Sequence, residues 1–431
     1  GAALTVPASG FFDPSMNSNG PAFGLFASTG QAGPLLELPV PEARIEIIHN
    51  SADAAAAVVD VFVNGAEAVP DFAYRTTTGF ITLPAGMPLS IQVAPDGAGI
   101  GGALPAIDIP FLGSGKTYIA IANGIVSPTG YSPAPAFGLD IFEGAREAAT
   151  SGMMNTDVLV YHGSTDAPAV DVDELNFVGG EIIDVLAYGS FEADYLELPT
   201  ADYTLQVQAD ANGAAVAAFD APLSTLALDG AAVTVIASGF LDPSNNSNGA
   251  EFGLFASVGV AGPLVELPRP EARIEVIHNS SDAAASVVDV FINGEEAVPD
   301  FAYRTSTGFI TLPAGMPLSI QVAPDGAGIG GALPAIDIPF LGSGKTYIAI
   351  ANGIVSPTGY SPAPAFGLDI YDQAREAAEG GAGTNDVLVY HGATDAPMVD
   401  VDELNFVMGE AVNDLSYNGF QGYLNLGVED Y

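Results

Sequence analysis

The sequence predicts an all-β chain of tandem immunoglobulin-like antiparallel β-sandwich domains in an elongated array, on three observations. Apolar and polar residues alternate over short runs, turn residues punctuate those runs, and the whole pattern returns at a fixed period. The anchor of the repeat is residues 43–60, ARIEIIHNSADAAAAVVD, which returns from Ala272 as ARIEVIHNSSDAAASVVD. Diverged copies start at Asp157 (DVLVYHGSTDAPAVDVD) and at Asp386 (DVLVYHGATDAPMVDVD). Each copy reads as a short apolar strand ending in histidine, a polar turn holding an aspartate, and a second strand.

Ala43 and Ala272 stand 229 residues apart, as do His162 and His391. Two related units, A and B, share that period. Residues 1–41 are the C-terminal part of a B-type unit, because GAALTVPASGFFDPSMNSNG parallels GAAVTVIASGFLDPSNNSNG from Gly230. An A-type unit spans 42–155, a B-type unit 156–271 and a second A-type unit 272–384. Residues 385–431 begin a second B-type unit. Tyr431 aligns with Tyr203, so joining it to Gly1 leaves 204–229 without a counterpart. The unit is completed by chain continuing at both ends, the reading this gap favours, or by a neighbouring subunit.

Within the first A-type unit, Ile45 and Ile47 alternate with Arg44, Glu46 and Ile48, the mark of a strand with one buried face. Val59, Val61 and Val63 alternate with Asp60, Phe62 and Asn64; Leu89, Ile91 and Val93 with Ser90 and Gln92. Ile119 and Ile121 flank Ala120, and Phe137, Leu139 and Ile141 close the unit. Asn64-Gly65, Pro84-Ala85-Gly86, Asp96-Gly97, Asn123-Gly124 and Pro128-Thr129-Gly130 are turns, where Asn and Gly accept positive φ and Pro presets it. About seven strands at this spacing make a sandwich of roughly 115 residues. Residues 143–149 read as one helical turn. The linker Leu38-Pro39-Val40-Pro41 is short and stiff, which favours a semi-rigid rod.

Of 431 residues 48% are hydrophobic, ample for several buried cores. Fifty-two acidic side chains against nine basic ones leave a net charge of -43. Such a chain does not bind nucleic acid, whose phosphates need a basic surface, nor an anionic membrane surface. It suits a solvated acidic coat, with divalent cations as the second reading. No run reaches the roughly 18 apolar residues that a membrane-inserted helix needs. With no cysteine, disulfides, thiolate metal sites and cysteine nucleophiles are excluded.

The recurring strand-His-(Asn/Gly)-Ser-x-Asp-Ala motif followed by Val-Asp-Val resembles the domain-of-unknown-function 4397 family. Leu83-Pro84-Ala85-Gly86 and Gly115-Lys116-Thr117-Tyr118 carry the same resemblance, whereas the first B-type unit has Leu198-Pro199-Thr200-Ala201 at the Pro-Ala-Gly turn. The resemblance covers the chain unit after unit. It implies secreted or surface-attached prokaryotic β-sandwich modules, usually in tandem, with no established activity.

Each unit has one histidine: His49, His162, His278 and His391. A zinc site or a catalytic group would need partners in the same unit. His162, Ser164 and Asp166 mimic a triad, but a local HGSTD turn does not supply triad geometry. The expected role is structural: each imidazole pins its turn through backbone and through Asp53, Asp166, Asp282 or Asp395. Gly113-Ser114-Gly115-Lys116-Thr117 imitates a phosphate loop, yet Pro110 replaces its first glycine and a strand follows. Lys116 and Lys345 are the only lysines, so a Lys-Asn crosslink has no counterpart in B-type units.

For calcium, the loops bearing Asp13, Asn17 and Asn19, and Asp242, Asn246 and Asn248, offer alternating oxygens followed by glycine. Asp166, Asp171, Asp173 and Glu174 are a second acidic cluster. No cofactor is required by any motif. The expected function is a structural protein of an extracellular filament or cell-surface stalk, not an enzyme. Its partner is itself, joined end to end by strand exchange. The alternative is a multivalent surface adhesin that binds glycans or another surface partner.

Overall fold

The computed structural model describes residues 3–406 and 408–431. β1 (Ala8–Ser9), β2 (Gly24–Ala27) and β3 (Leu36–Glu37) form a three-stranded sheet in that order. The first A-type unit supplies β4 (Glu42–His49), β5 (Val58–Val63), β6 (Ala66–Ala73), β7 (Thr76–Pro84), β8 (Leu89–Pro95), β9 (Ile107–Ile109), β10 (Thr117–Asn123) and β11 (Gly138–Glu143). The first B-type unit supplies β12 (Asn155–His162), β13 (Val170–Glu174), β14 (Gly180–Leu186), β15 (Leu196–Pro199) and β16 (Asp202–Ala209). It continues with β17 (Ala214–Pro222), β18 (Ala232–Ser238), β19 (Gly253–Ser257), β20 (Gly262–Pro263) and β21 (Val265–Glu266). The second A-type unit repeats the first as β22 (Glu271–His278), β23 (Val287–Ile292), β24 (Glu295–Ala302), β25 (Ser306–Pro313), β26 (Leu318–Pro324), β27 (Ile336–Ile338), β28 (Thr346–Asn352) and β29 (Gly367–Tyr371). β30 (Thr384–Tyr390), β31 (Val399–Glu403), β32 (Gly409–Leu415) and β33 (Phe420–Gly427) follow.

The all-β prediction holds: among the described residues there are strands and short 3-10 turns but no α-helix. Residues 143–149 are therefore not a helical turn. Their side chains are committed elsewhere, Arg146 to Asp157 and Glu147 to Arg44, and those ties hold the backbone open.

Each A-type unit is a sandwich. In the first, the sheet β11-β10-β4-β7-β20 faces β6-β5-β8-β9 across a core that includes Ile45, Ile47, Val59, Phe72, Leu89 and Leu112. The second pairs β25-β22-β28-β29 with β24-β23-β26-β27. Three strand pairings are parallel, β4 with β10, β12 with β18 and β22 with β28. The long crossover joining the two strands of each pair permits it, where tight hairpins would have forced antiparallel pairing. The positive φ of Asp71 (49°) and Asp300 (49°) falls beside β-bulges, where an extra residue bends the strand.

The chain divides into two compact units. Residues 1–167, 188–199 and 230–266 make the first, and 168–187, 200–229 and 267–431 the second. The B-type sheet β15-β12-β18-β19-β21 lies in the first unit, and β14-β13-β16-β17 in the second.

Burial corrects the expectation that β4 has a single buried face. Glu46 and Ile48, on its outer side, are 1% and 0% exposed. Ile48, Ile119 and Ile121 pack with Leu159, Tyr161, Ile236 and Phe255 into a second core, so the A-type sheet is buried on both faces. At about 1.5–3 kcal/mol for each large apolar side chain removed from water, this joint is comparable to a domain interior.

Candidate functional site

The joint between the A-type and B-type sheets of the first unit concentrates the buried polar chemistry of this chain. Glu46 projects from β4 into the joint, where Thr77 donates to its Oε1 at 2.6 Å and Ser257 of β19 donates to the same oxygen. Burial pushes its carboxyl upward, and the two hydroxyl donors only partly offset this. Arg75, held at φ 59° between β6 and β7, lays its guanidinium 3.8 Å from the centre of the Phe255 ring. It also donates from Nε to Ser238 Oγ (3.2 Å) and from Nη2 to the Glu251 carbonyl (2.8 Å). β20 adds to the A-type sheet beside β7, with Gly262 opposite Thr77.

At the other end of the joint, Asn123 donates to the hydroxyls of Tyr161 (2.9 Å) and Tyr188 (3.1 Å). Tyr161 in turn donates to Asp140 at 2.5 Å. Burial and the neighbouring Asp140 carboxylate raise both tyrosine hydroxyls, so they stay protonated donors. Arg146 binds Asp157 at 2.6 Å and Glu197 at 2.8 Å, and its ring partner is Tyr195. Burial pushes the Asp157 carboxyl up, but the donors Ser151, Thr150 and Arg146 hold it below the usual range.

The second unit repeats this chemistry between its A-type strands and β30. Asn352 donates to Tyr390 (3.0 Å) and Tyr417 (3.2 Å), Tyr390 to Asp369 (2.5 Å), and Arg375 pairs with Asp386 (2.7 Å). The predicted site residues did not include these groups. A charged Glu46 inside the apolar run RIEIIH was the available signal, and its meaning depends on what covers the strand.

Three of the four histidines bond a backbone carbonyl of their own turn. His49 is 1% exposed, donates from Nε2 to the Ala56 carbonyl at 2.6 Å and accepts at Nδ1 from Ser51 N–H. Burial lowers it to about 4, so it is neutral at pH 7. His278 makes the same bond to Ala285 (2.7 Å), and His391 to Pro397 (2.9 Å). At Asp53 and Asp282 the described hydrogen bonds go to their own turn and to a neighbouring loop and not to the histidine. Asp53 caps a 3-10 turn through Ala55 N–H and reaches across to Val126 N–H, Ser127 N–H and Ser127 Oγ. Asp282 does the same with Ala284, Val355 and Ser356, and sits at about 2 because these donors outweigh its burial. In the B-type unit Asp166 accepts from Leu241 and Asp242 N–H, and Ser164 donates to the Gly239 carbonyl, a cross-loop clasp. Asp395, its counterpart, faces an open cleft beside His391.

The leading aspartate of each Asp-Asn loop caps its own turn. Asp13 Oδ1 accepts from Ser15 and Met16, and Asn17 donates to the Asp13 carbonyl. Asp242 accepts from Ser244 and Asn245, while the Asn246 side chain joins Ser132 N–H to Asp166. Asn19 and Asn248 have positive φ (51° and 50°), as do Ser18 and Ser247 before them (56° and 55°). Of the second cluster, Glu174 binds the N–H groups of 176–179 and Asp173 binds Gln208.

Carboxylates meet elsewhere: Asp60, Asp71 and Asp96, then Asp289, Asp300 and Asp325, then Asp171, Asp184 and Asp210, each set with oxygens within 4.8 Å of one another. These sets could hold a hard, oxygen-seeking cation. Asp60 is pinned by Asp71 N–H and Gly97 N–H at 3.1 Å each. Asp96 is raised by burial and by the Asp71 and Asp60 charges. Asp96→Asn is therefore expected to raise the melting temperature of chelator-treated protein by about 1–2 °C in a calorimetric scan. An unchanged or lower value would show that the three charges do not repel.

No protein-family model matches the chain, and no curated protein matches it. Among solved structures it is similar to the Bacillus anthracis TIE protein, at 12% identity and a TM-score of 0.17, over 77% of this chain. The match spans 54% of the TIE chain, about half its length. It is also similar to the family 26 carbohydrate-binding module of Eubacterium rectale Amy13K, at 11% identity and a TM-score of 0.16, over 47% of this chain and 94% of that one. Among the described residues no helix is long and apolar enough to cross a membrane.

Proposed function

We propose that this chain is a structural protein of an extracellular filament or cell-surface stalk, extended by lengthwise association of its tandem β-sandwich repeats. The observation that carries the reading is the A-to-B joint of the first unit. Its apolar core and its buried ties through Glu46, Arg75, Asn123 and Arg146 resemble a domain interior. Loosely tethered domains meet through smaller and more polar contacts. The recurrence of Asn352–Tyr390 and Arg375–Asp386 in the second unit supports a joint built to be repeated. A repeating joint of fixed geometry transmits load and propagates a line, as in other quasi-one-dimensional arrays. Negative-stain microscopy of native material tests the reading: continuous fibres are expected, and discrete compact particles at all concentrations would overturn it.

A further inference from the structure

Two strand edges in this chain complement one another. In the intact B-type sheet, β12 bonds β15 on one side and β18 on the other, in parallel register from Asp157 opposite Ala232 to His162 opposite Ala237. β30 is the counterpart of β12 and bonds only β33 among the described residues. β1 belongs to the counterpart of the β18 segment and, among the described residues, bonds only β2. Thr5 exchanges both backbone bonds with Ser28, and Pro7 O accepts from Phe26 N–H. Residues 5 and 7 thus point at β2, leaving the backbone groups of 4, 6 and 8 on the open side. Pro7, which has no N–H to give, stands where none is needed by a strand on that side.

Side chains agree with the backbone. Leu4, Phe11 and Leu25 are 59%, 43% and 44% exposed, whereas their counterparts Val233, Phe240 and Leu254 are 2%, 1% and 6%. On the other surface, Ile277 and Glu275 are partly exposed where Ile48 and Glu46 are buried. Beside them is a cleft of about 520 Å³ lined by Tyr303, Arg304, His391 and Asp395 among others. Arg75 shows what Arg304 is shaped to hold: an aromatic ring, a serine hydroxyl and a carbonyl, supplied in the segment at 4–37 by Phe26, Ser9 and Ala22. Asp166 shows what Asp395 is shaped to hold, the N–H groups whose counterparts belong to Phe12 and Asp13 and the amide whose counterpart is Asn17. Ser28 is the counterpart of the Ser257 that donates to Glu46, and Glu275 is the counterpart of Glu46.

We propose that the outer face formed by β22, β28 and β30 is a docking site for residues 4–37 of a second copy of this chain, which adds β1 to the edge of β30 in parallel register. The inference rests on the filament reading above and names its joint. The complementarity is between residues 4–37 and the 271–391 face, so it is the same whatever chain precedes or follows them. Val6 falls opposite Val389, as Val235 falls opposite Val160. In a chain with no native cysteine, neighbouring strand positions of this kind lie within disulfide reach.

The test is the full chain carrying Val6→Cys and Val389→Cys, assembled, oxidised and run on a denaturing gel. A ladder of dimers, trimers and higher species that collapses on reduction is expected, with both single variants remaining free of the ladder. Arg304→Ala is expected to lower the polymer fraction at least tenfold while leaving the fold of the first unit unchanged. Fibres without the ladder would overturn this docking and leave the filament reading standing; monomers without fibres would overturn both. Native fibres in which the edge of β30 is filled by the same covalent chain would also overturn it.

Discussion

Ile48→Ala is expected to destabilise the first compact unit by about 2–5 kcal/mol, whereas Ile277→Ala, at the same place in the repeat, costs the isolated chain about 1 kcal/mol or less. Ile48 is 0% exposed and sits in the core shared with Leu159, Ile236 and Phe255. Truncating it removes transfer energy and leaves a cavity that two sheets cannot both collapse into. Ile277 has the same strand neighbours but is partly exposed, so water or small side-chain movements fill the loss. Calorimetry of the two variants, with hydrogen exchange to assign the unit affected, measures the difference. Equal losses would mean that the joint contributes nothing beyond the strand itself. In assembled material the cost at Ile277 is expected to rise towards that at Ile48, because the proposed docking covers it.

The second large effect is a loss of stability as pH falls from about 6.5 to about 4. His49 has its folded value lowered to about 4 by burial, against about 6.5 for an unfolded histidine. Protons therefore bind the unfolded chain first. Its full contribution is present above pH 6.5 and is lost as pH falls through 4, a change of about 3 kcal/mol from this group. Asp282 extends the trend: its value of about 2 means that its contribution is present above about 4 and is lost as pH falls towards 2. The melting temperature of the first unit, followed in steps from pH 7 to pH 4, should begin to decline near pH 6.5, ahead of the range where most carboxylates titrate. A flat profile to pH 4.5 would show that His49 is solvated. His49→Asn should flatten that part of the curve while leaving the acid limb set by the aspartates.

Much of the strand pattern was legible because period-two alternation and turn chemistry are local. Val59, Val61 and Val63 do line one face, and Asn64-Gly65 does turn the chain, with Asn64 at φ 50°. The hydrogen-bond partners of the histidine turns were not legible. Asp53 lies four residues from His49, and its acceptor geometry is claimed instead by Val126 and Ser127, more than seventy positions away. The Asp60, Asp71 and Asp96 set escaped notice for the same reason: three carboxylates scattered over two strands and a turn meet only when the sheet forms.

Periodicity, turn residues and the 229-residue repeat were sufficient for an all-β chain of tandem sandwiches, because each depends on neighbours a few positions apart or on direct copying. Tertiary structure alone decided that the sheet of β4 and β10 has no solvent face and that Glu46 is buried. It also decided that Arg75 is a joint residue instead of a surface charge. Alternation records how side chains leave a strand, whereas burial depends on what another part of the chain brings against each side.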